Sequence, residues 1–195
     1  MSEMKVAIDG TVATNATITG NTSTTPLYTT PGMPTGVNLY TTLIFDAPGV
    51  VAANNFLSVF NPVGSGKTFV FYQFVAFPYA TGATSVTNSM NIFRTTAASA
   101  GTLVAAASIN KFSTSQPNSV AEVRTGNPTT TNGTIPIISV PPAITSAASG
   151  TSGTIDIVPP TGAVFTCAPG EGIVARTAAG NVNQLWDMGF TWSEQ

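Results

Sequence analysis

The chain has 195 residues, enough to bury a sizeable core in one all-β domain or in one domain with an extended arm. Only 7% of them are charged, against about 25% in an ordinary soluble domain. The net charge is −2 and the basic residues Lys5, Lys67, Arg94, Lys111, Arg124 and Arg176 are scattered singly, so no basic stripe is present to neutralise phosphates and nucleic acid is not expected as a partner.

In chain order, the start MSEMKVAIDG has no positive segment followed by an apolar one, and no stretch approaches 18 apolar residues without polar interruption. Neither a secretory leader nor a membrane span is expected, which fits synthesis in the cytosol. Residues 4–9 and 11–19 read as short strands. Residues 20–37 carry three prolines and almost no apolar periodicity, so residues 1–37 are expected to form an N-terminal arm ending in a Pro-rich linker, and residues 38–195 the body.

Strands are predicted at about 38–46, 52–60, 68–77, 86–95, 102–110, 119–125, 134–140, 154–158, 163–168, 172–178 and 184–193. Turn clusters separate them, among them DAPG, TGNPTTTNG, PPTG and the long PPAITSAASGTSG. Many short strands at spacings near ten residues, with no amphipathic helix, predict an all-β antiparallel β-sandwich. Unequal loops favour a jelly-roll-like order over an up-and-down barrel, with residues 141–153 crossing between sheets.

The octet NPVGSGKT at 61–68 ends like a phosphate-binding loop. The position five before Gly66 is Asn61, however, and Pro62 has no N–H to offer a phosphate. A phosphate loop must also open a helix, whereas FVFYQFVAF at 69–77 reads as a buried strand, so the octet is expected to be a turn between two strands.

Catalytic chemistry has few carriers. There is no histidine, which excludes a Ser-His-Asp triad and any ordinary zinc site, and Cys167 lies in the apolar run AVFTC with no base to activate it. The acids Asp9, Asp46, Glu122, Asp156, Glu171, Asp187 and Glu194 stand apart in sequence and form no calcium loop. A glycosidase would need two of them facing one another across a cleft. No catalytic, cofactor-binding or metal-ligating residue is predicted. In the last segment, QLWDMGFTWSEQ, Trp186, Met188, Phe190 and Trp192 share one face of an uninterrupted strand. That face either closes the core or stacks on sugar rings, and the core reading is preferred.

Three stretches resemble virion structural proteins of tailed bacteriophages. FNPVGSGKTFVFYQFVAF is similar to a hairpin in which an NP-x-GSGK turn precedes an apolar strand, and CAPGEGIVAR at 167–176 with the terminal FTWSE is similar to their closing strands. Within that group the chain looks most like the capsid decoration, or cement, proteins. The resemblance implies a sandwich or jelly-roll body on the outside of the head, often trimeric, that binds the major capsid protein and its own copies. It brings no catalytic residues. The Pro-rich segment has no counterpart in that pattern; as an arm it would drape over a neighbour, with Leu27, Tyr28 and Met33 as candidate partner-binding anchors. Ser and Thr make up roughly a quarter of the chain, and a surface so poor in charge lacks the repulsion that keeps copies apart. A tail fibre, spike or other carbohydrate-binding adhesin is the alternative, and a glycan-cleaving sandwich a third.

Overall fold

β-Branched and aromatic residues interspersed with Ser, Thr and Asn turn most of the described body into strands. The computed structural model describes residues 7–8, 11–12, 37–48, 53–80, 86–145, 155–157, 165–177 and 184–195. The chain divides into two units, Met1–Thr30 and Pro31–Gln195. In the first, β1 (Ala7–Ile8) and β2 (Thr11–Val12) pair antiparallel.

The second unit holds β3 (Asn38–Pro48), β4 (Asn55–Phe60), β5 (Phe69–Ala80), β6 (Val86–Ser99), β7 (Thr102–Leu103), a 3-10 turn at Ala106–Ser108 and β8 (Asn110–Lys111). It continues with β9 (Glu122–Thr125), β10 (Thr129–Asn132), β11 (Ile138–Thr145), β12 (Ile155–Ile157), β13 (Phe165–Cys167), β14 (Gly172–Thr177) and β15 (Gln184–Glu194). Every pairing is antiparallel, and the strands form two sheets packed face to face. One runs β5-β15-β3-β8, with β12 and β13 end to end along the free edge of β5. The other runs β6-β14-β4-β9-β7, with β10 and β11 end to end along β6. The chain thus alternates between sheets through β3, β4, β5 and β6, and its first and last long strands lie side by side. This is jelly-roll order, which the unequal loops favoured, and two separate sheets replace the barrel alternative.

The core is built from cross-strand rungs. Tyr40, Trp192, Phe71 and Phe165 occupy adjacent positions on four neighbouring strands, with ring centroids 5.9, 6.3 and 5.1 Å apart in that order. Phe74 and Phe190 form the next rung at 4.8 Å. The facing sheet contributes Leu57, Val59, Ile92, Val123, Ile173 and Ala175, all buried. Where Arg94 ends one of its rungs, the guanidinium spans the gap to the other sheet, donating to the Thr166 carbonyl at 2.8 Å.

Several stretches differ from the sequence reading, β6 among them, which runs on to Ser99 past the predicted end at 95. Residues 102–110 are not one strand: β7 pairs in one sheet and β8 in the other, so the chain must turn between them at Ala106–Ser108. The cluster TGNPTTTNG contains β10, recruited by the edge of β6 despite its polar sequence. β11 runs on through Pro141 and Pro142, where a register shift on an edge strand accommodates two residues without N–H donors. It starts at Ile138 and not at 134. β9 likewise starts only at Glu122, because Ser119 and Val120 are held by a side chain: the buried Glu194 carboxylate accepts from Ser119 Oγ, from Val120 N at 3.1 Å and from Trp192 Nε1 at 3.3 Å.

The octet is a turn from β4 to β5, as expected. Asn61 is fully buried, and its Nδ2 donates to the carbonyls of Lys67 at 2.8 Å and of Cys167 at 3.1 Å. Its own N–H and C=O pair with Glu171 O and Gly170 N, each at 2.8 Å. One side chain therefore fastens the octet to the turn of CAPGEG, while Thr68 and Gln195 exchange backbone hydrogen bonds alongside. Replacing Asn61 by Ala removes the donor to two inward carbonyls and is expected to cost about 1–3 kcal/mol. Urea unfolding measures this as a lower midpoint at unchanged slope; an unchanged midpoint refutes the hub.

Candidate functional site

The phosphate-loop resemblance ends with the octet's backbone. Three of the octet's amides are already engaged: Ser65 N donates to Pro62 O, Lys67 N to Ser65 Oγ and Thr68 N to Gln195 O, the residue after β15. Strand β5 follows directly, with no helix behind the turn.

Trp186, Met188, Phe190 and Trp192 share one face of β15 and all are buried in the core. They are out of reach of a sugar ring, so the core reading holds for this face. Leu27, Tyr28 and Met33 lie outside the described residues, as does Asp9.

Cys167 is buried in the core, and burial pushes its thiol up to about 12, with Arg94 opposing the shift and Glu171 adding to it. A nucleophile needs the thiolate, which this environment suppresses. Among the described residues no group of three or more His, Cys, Asp or Glu side chains converges to hold a metal ion. No helix there is long and apolar enough to cross a membrane.

Two surfaces remain. The first is the outer face of the sheet containing β15. Gly189 pairs with Leu43 on one side and Val75 on the other, and a Cβ at Gly189 would meet the Leu43 side chain at 2.5 Å and Thr42 O at 2.4 Å. Leu43 therefore lies across β15 on the solvent side. It is 45% exposed, and by alternation Phe45, two residues on and 67% exposed, shares its face. Phe77, 46% exposed, is the partner of Asp187 on β5 in the neighbouring row. The result is an exposed surface strip spanning three strands, apolar at Leu43, Phe45 and Phe77, with Asp187 on β15 in the Phe77 row.

The second is a cleft of about 490 Å³ at the end of the sandwich opposite the octet, where β3 and β4 part into different sheets. β3 lines it with Ile44, Phe45, Asp46 and Pro48; β4 and the residue before it supply Phe56 and Asn54; the turn after β9 supplies Gly126 and Asn127. Asp46 and Asn127 have φ of 53° and 62°, left-handed conformations that Asp and Asn tolerate better than other side chains. The first is held by Asp187, whose Oδ1 accepts the Asp46 N–H at 2.9 Å across 141 residues of sequence. The second is held by Asn55, which donates its N–H to Asn127 Oδ1 at 3.3 Å and its Nδ2 to Pro128 O at 2.8 Å. Asn54 is 6% exposed, and its Oδ1 is buried with no hydrogen-bond partner among the described residues.

Sequence reasoning missed both surfaces. It placed Asp46 at the start of a turn and Asp187 on the polar face of β15, and nothing in their spacing joins them. The strip was signalled by Leu43 and Phe45 alternating with the inward Thr42 and Ile44, a pattern that becomes informative once the core side of β3 is known.

Fold and surfaces together define a jelly-roll β-sandwich with a closed, hydrogen-bonded end and an open, cleft-bearing end. No protein family, curated protein or solved structure matches the chain.

Cys167 sets a pH dependence. Below about pH 9 its thiol is protonated in the folded and the unfolded chain; above that the unfolded thiol ionises while the folded one holds its proton to about 12. Stability contributed by the buried thiol is therefore fully present below pH 9 and is lost as pH rises toward 12. Tyr40, raised by burial and by Glu194, acts in the same direction. Urea midpoints measured against pH are expected to fall less steeply over this window for Cys167→Ala than for the wild type; equal slopes contradict the assignment.

Proposed function

We propose that this protein is a non-enzymatic virion structural protein that decorates and stabilises the outer surface of a phage capsid, binding the major capsid protein and further copies of itself. The observation that carries the reading is the apolar strip of Leu43, Phe45 and Phe77 on the outside of a sheet. An exposed apolar surface rimmed by polar residues is where a protein contacts another protein, and a chain with 7% charged residues has little like-charge repulsion to hold neighbours off. The phage-like stretches support it further, since the NPVGSGKT turn, the CAPGEG turn and the C-terminal residues are hydrogen-bonded into one unit at the closed end. In this reading residues 1–37 act as an arm over the shell or a sister subunit, with Leu27, Tyr28 and Met33 as its anchors, and copies associate as trimers.

A carbohydrate-binding tail fibre or spike is the second reading. The open-end cleft favours it, and the buried aromatic face of β15 does not.

The test is co-sedimentation with capsids lacking this protein, followed by electron microscopy of the pellet. The intact chain is expected to pellet and to give regular density at capsomer seams. Leu43→Glu with Phe77→Glu, at positions already half in water, is expected to remain folded and to stay in the supernatant. Removal of residues 1–36 is expected to weaken pelleting with the body intact. Failure of the intact chain to bind capsids, with few copies per particle, transfers the assignment to the second reading.

A further inference from the structure

We propose that the cleft at the open end is a binding site for a neutral sugar, a hexopyranose or the end residue of a glycan. The inference stands on the cleft alone and is independent of the capsid reading.

The volume, about 490 Å³, falls within the range of small-molecule sites and exceeds the voids of a packed interior. Its composition selects the ligand. Among the described residues that line it there is no lysine or arginine, so phosphates, sulfates and carboxylated sugars find no counter-charge there. Apolar surface from Ile44, Phe45 and Phe56 stands beside hydrogen-bonding groups on Asp46, Asn54 and Asn127. A pyranose needs this mixture: a C–H face to lie against an aromatic ring, and hydroxyls that donate to carboxylate or amide oxygens while accepting from amide N–H groups.

Two further features show a site built for a polar guest. The buried Oδ1 of Asn54 lacks a partner among the described residues, and an orphaned acceptor is costly unless a donor reaches it. A small reorientation of the amide, driven by an entering hydroxyl, supplies that donor. The backbone is also held in the left-handed region at Asp46 and Asn127, two of the three non-glycine residues with positive φ among those described. Such conformations persist where surrounding bonds enforce them, here from Asp187 and Asn55, and they gather at ligand clamps. Phe45, 67% exposed, and Phe56 are the aromatic residues of the lining, and Phe45 is the one that solvent reaches.

Saturation-transfer NMR on the full chain tests this with methyl α-glucoside, methyl α-mannoside, methyl β-galactoside and N-acetylglucosamine. Adenosine serves as a planar competitor and inorganic phosphate as an anion. At least one sugar is expected to bind with a Kd on the order of 1 mM, the range for a ligand of this size. Phe45→Ala, at an exposed position, is expected to weaken binding about fivefold through lost stacking. Asp46→Asn keeps a residue tolerant of positive φ and is expected to weaken it about tenfold through the lost charged acceptor. Thermal melts of both variants, expected to match the wild type, separate loss of binding from loss of fold. Absence of saturation transfer from all four sugars overturns the proposal. So does sugar binding unchanged in both folded variants, or binding of adenosine or phosphate in place of the sugars.

Discussion

Everything else in the body depends on burying the inward face of β15. The last strand of the chain sits in the middle of its sheet, between β5 and β3, and Trp186, Met188, Phe190 and Trp192 fill the space between the sheets. Trp192 is the second ring of a four-ring rung, so its removal would open a gap on both sides at once. The opposite face of the same strand is nearly as crowded. Gly189 has backbone and Leu43 against it, and Ser193 shares a hydrogen bond of 3.1 Å with Tyr72. β15 pairs with β3 and β5, both far from it in sequence, so its sheet closes only through long-range contacts. Contacts so distant in sequence make such folds slow to form.

That constraint divides the two ends of the sandwich. At the closed end the chain must turn sharply and cross between sheets while keeping its polar groups satisfied, and Asn61 and Glu194 do this from inside. Each is buried and each binds loops remote in sequence. The open end solves a different problem. There β3 and β4 diverge, the backbone is fixed in left-handed turns by single side chains, and the Asn54 Oδ1 is left over. Other buried polar atoms without partners among the described residues, Asn55 Oδ1 and Asn132 Oδ1 among them, lie outside the cleft lining, so the Asn54 Oδ1 is set apart by its place in the cleft.

The sequence carried most of the fold because the information there is local. Turn chemistry marked β3 to β5, the start of β6 and β13 to β15, the absence of helical periodicity fixed the class, and Pro62 with the strand after it exposed the phosphate-loop resemblance as a turn. What was illegible is non-local. The polar stretch of β10 becomes a strand because the edge of β6 offers it hydrogen bonds, which composition does not report. Glu194 stands apart from the other acids in sequence, yet its carboxylate binds the loop before β9 through Ser119, 75 residues away. The cleft needs Asp46, Asn54 and Asn127 brought together from three segments, and no spacing rule predicts that assembly.

Phe45 joins the two candidate surfaces. By alternation it extends the apolar strip begun by Leu43, and it is also one of the residues lining the cleft. A neighbour docked over the strip would compete for the ring that a sugar would use, so protein contact and sugar binding at this end would oppose each other through one side chain. Linkage makes that opposition reciprocal: a ligand that holds Phe45 over the cleft weakens docking by the same factor by which docking weakens the ligand. A surface protein with both properties would be governed by the position of one phenylalanine ring, held beside a left-handed Asp46 that Asp187 fixes from the next strand.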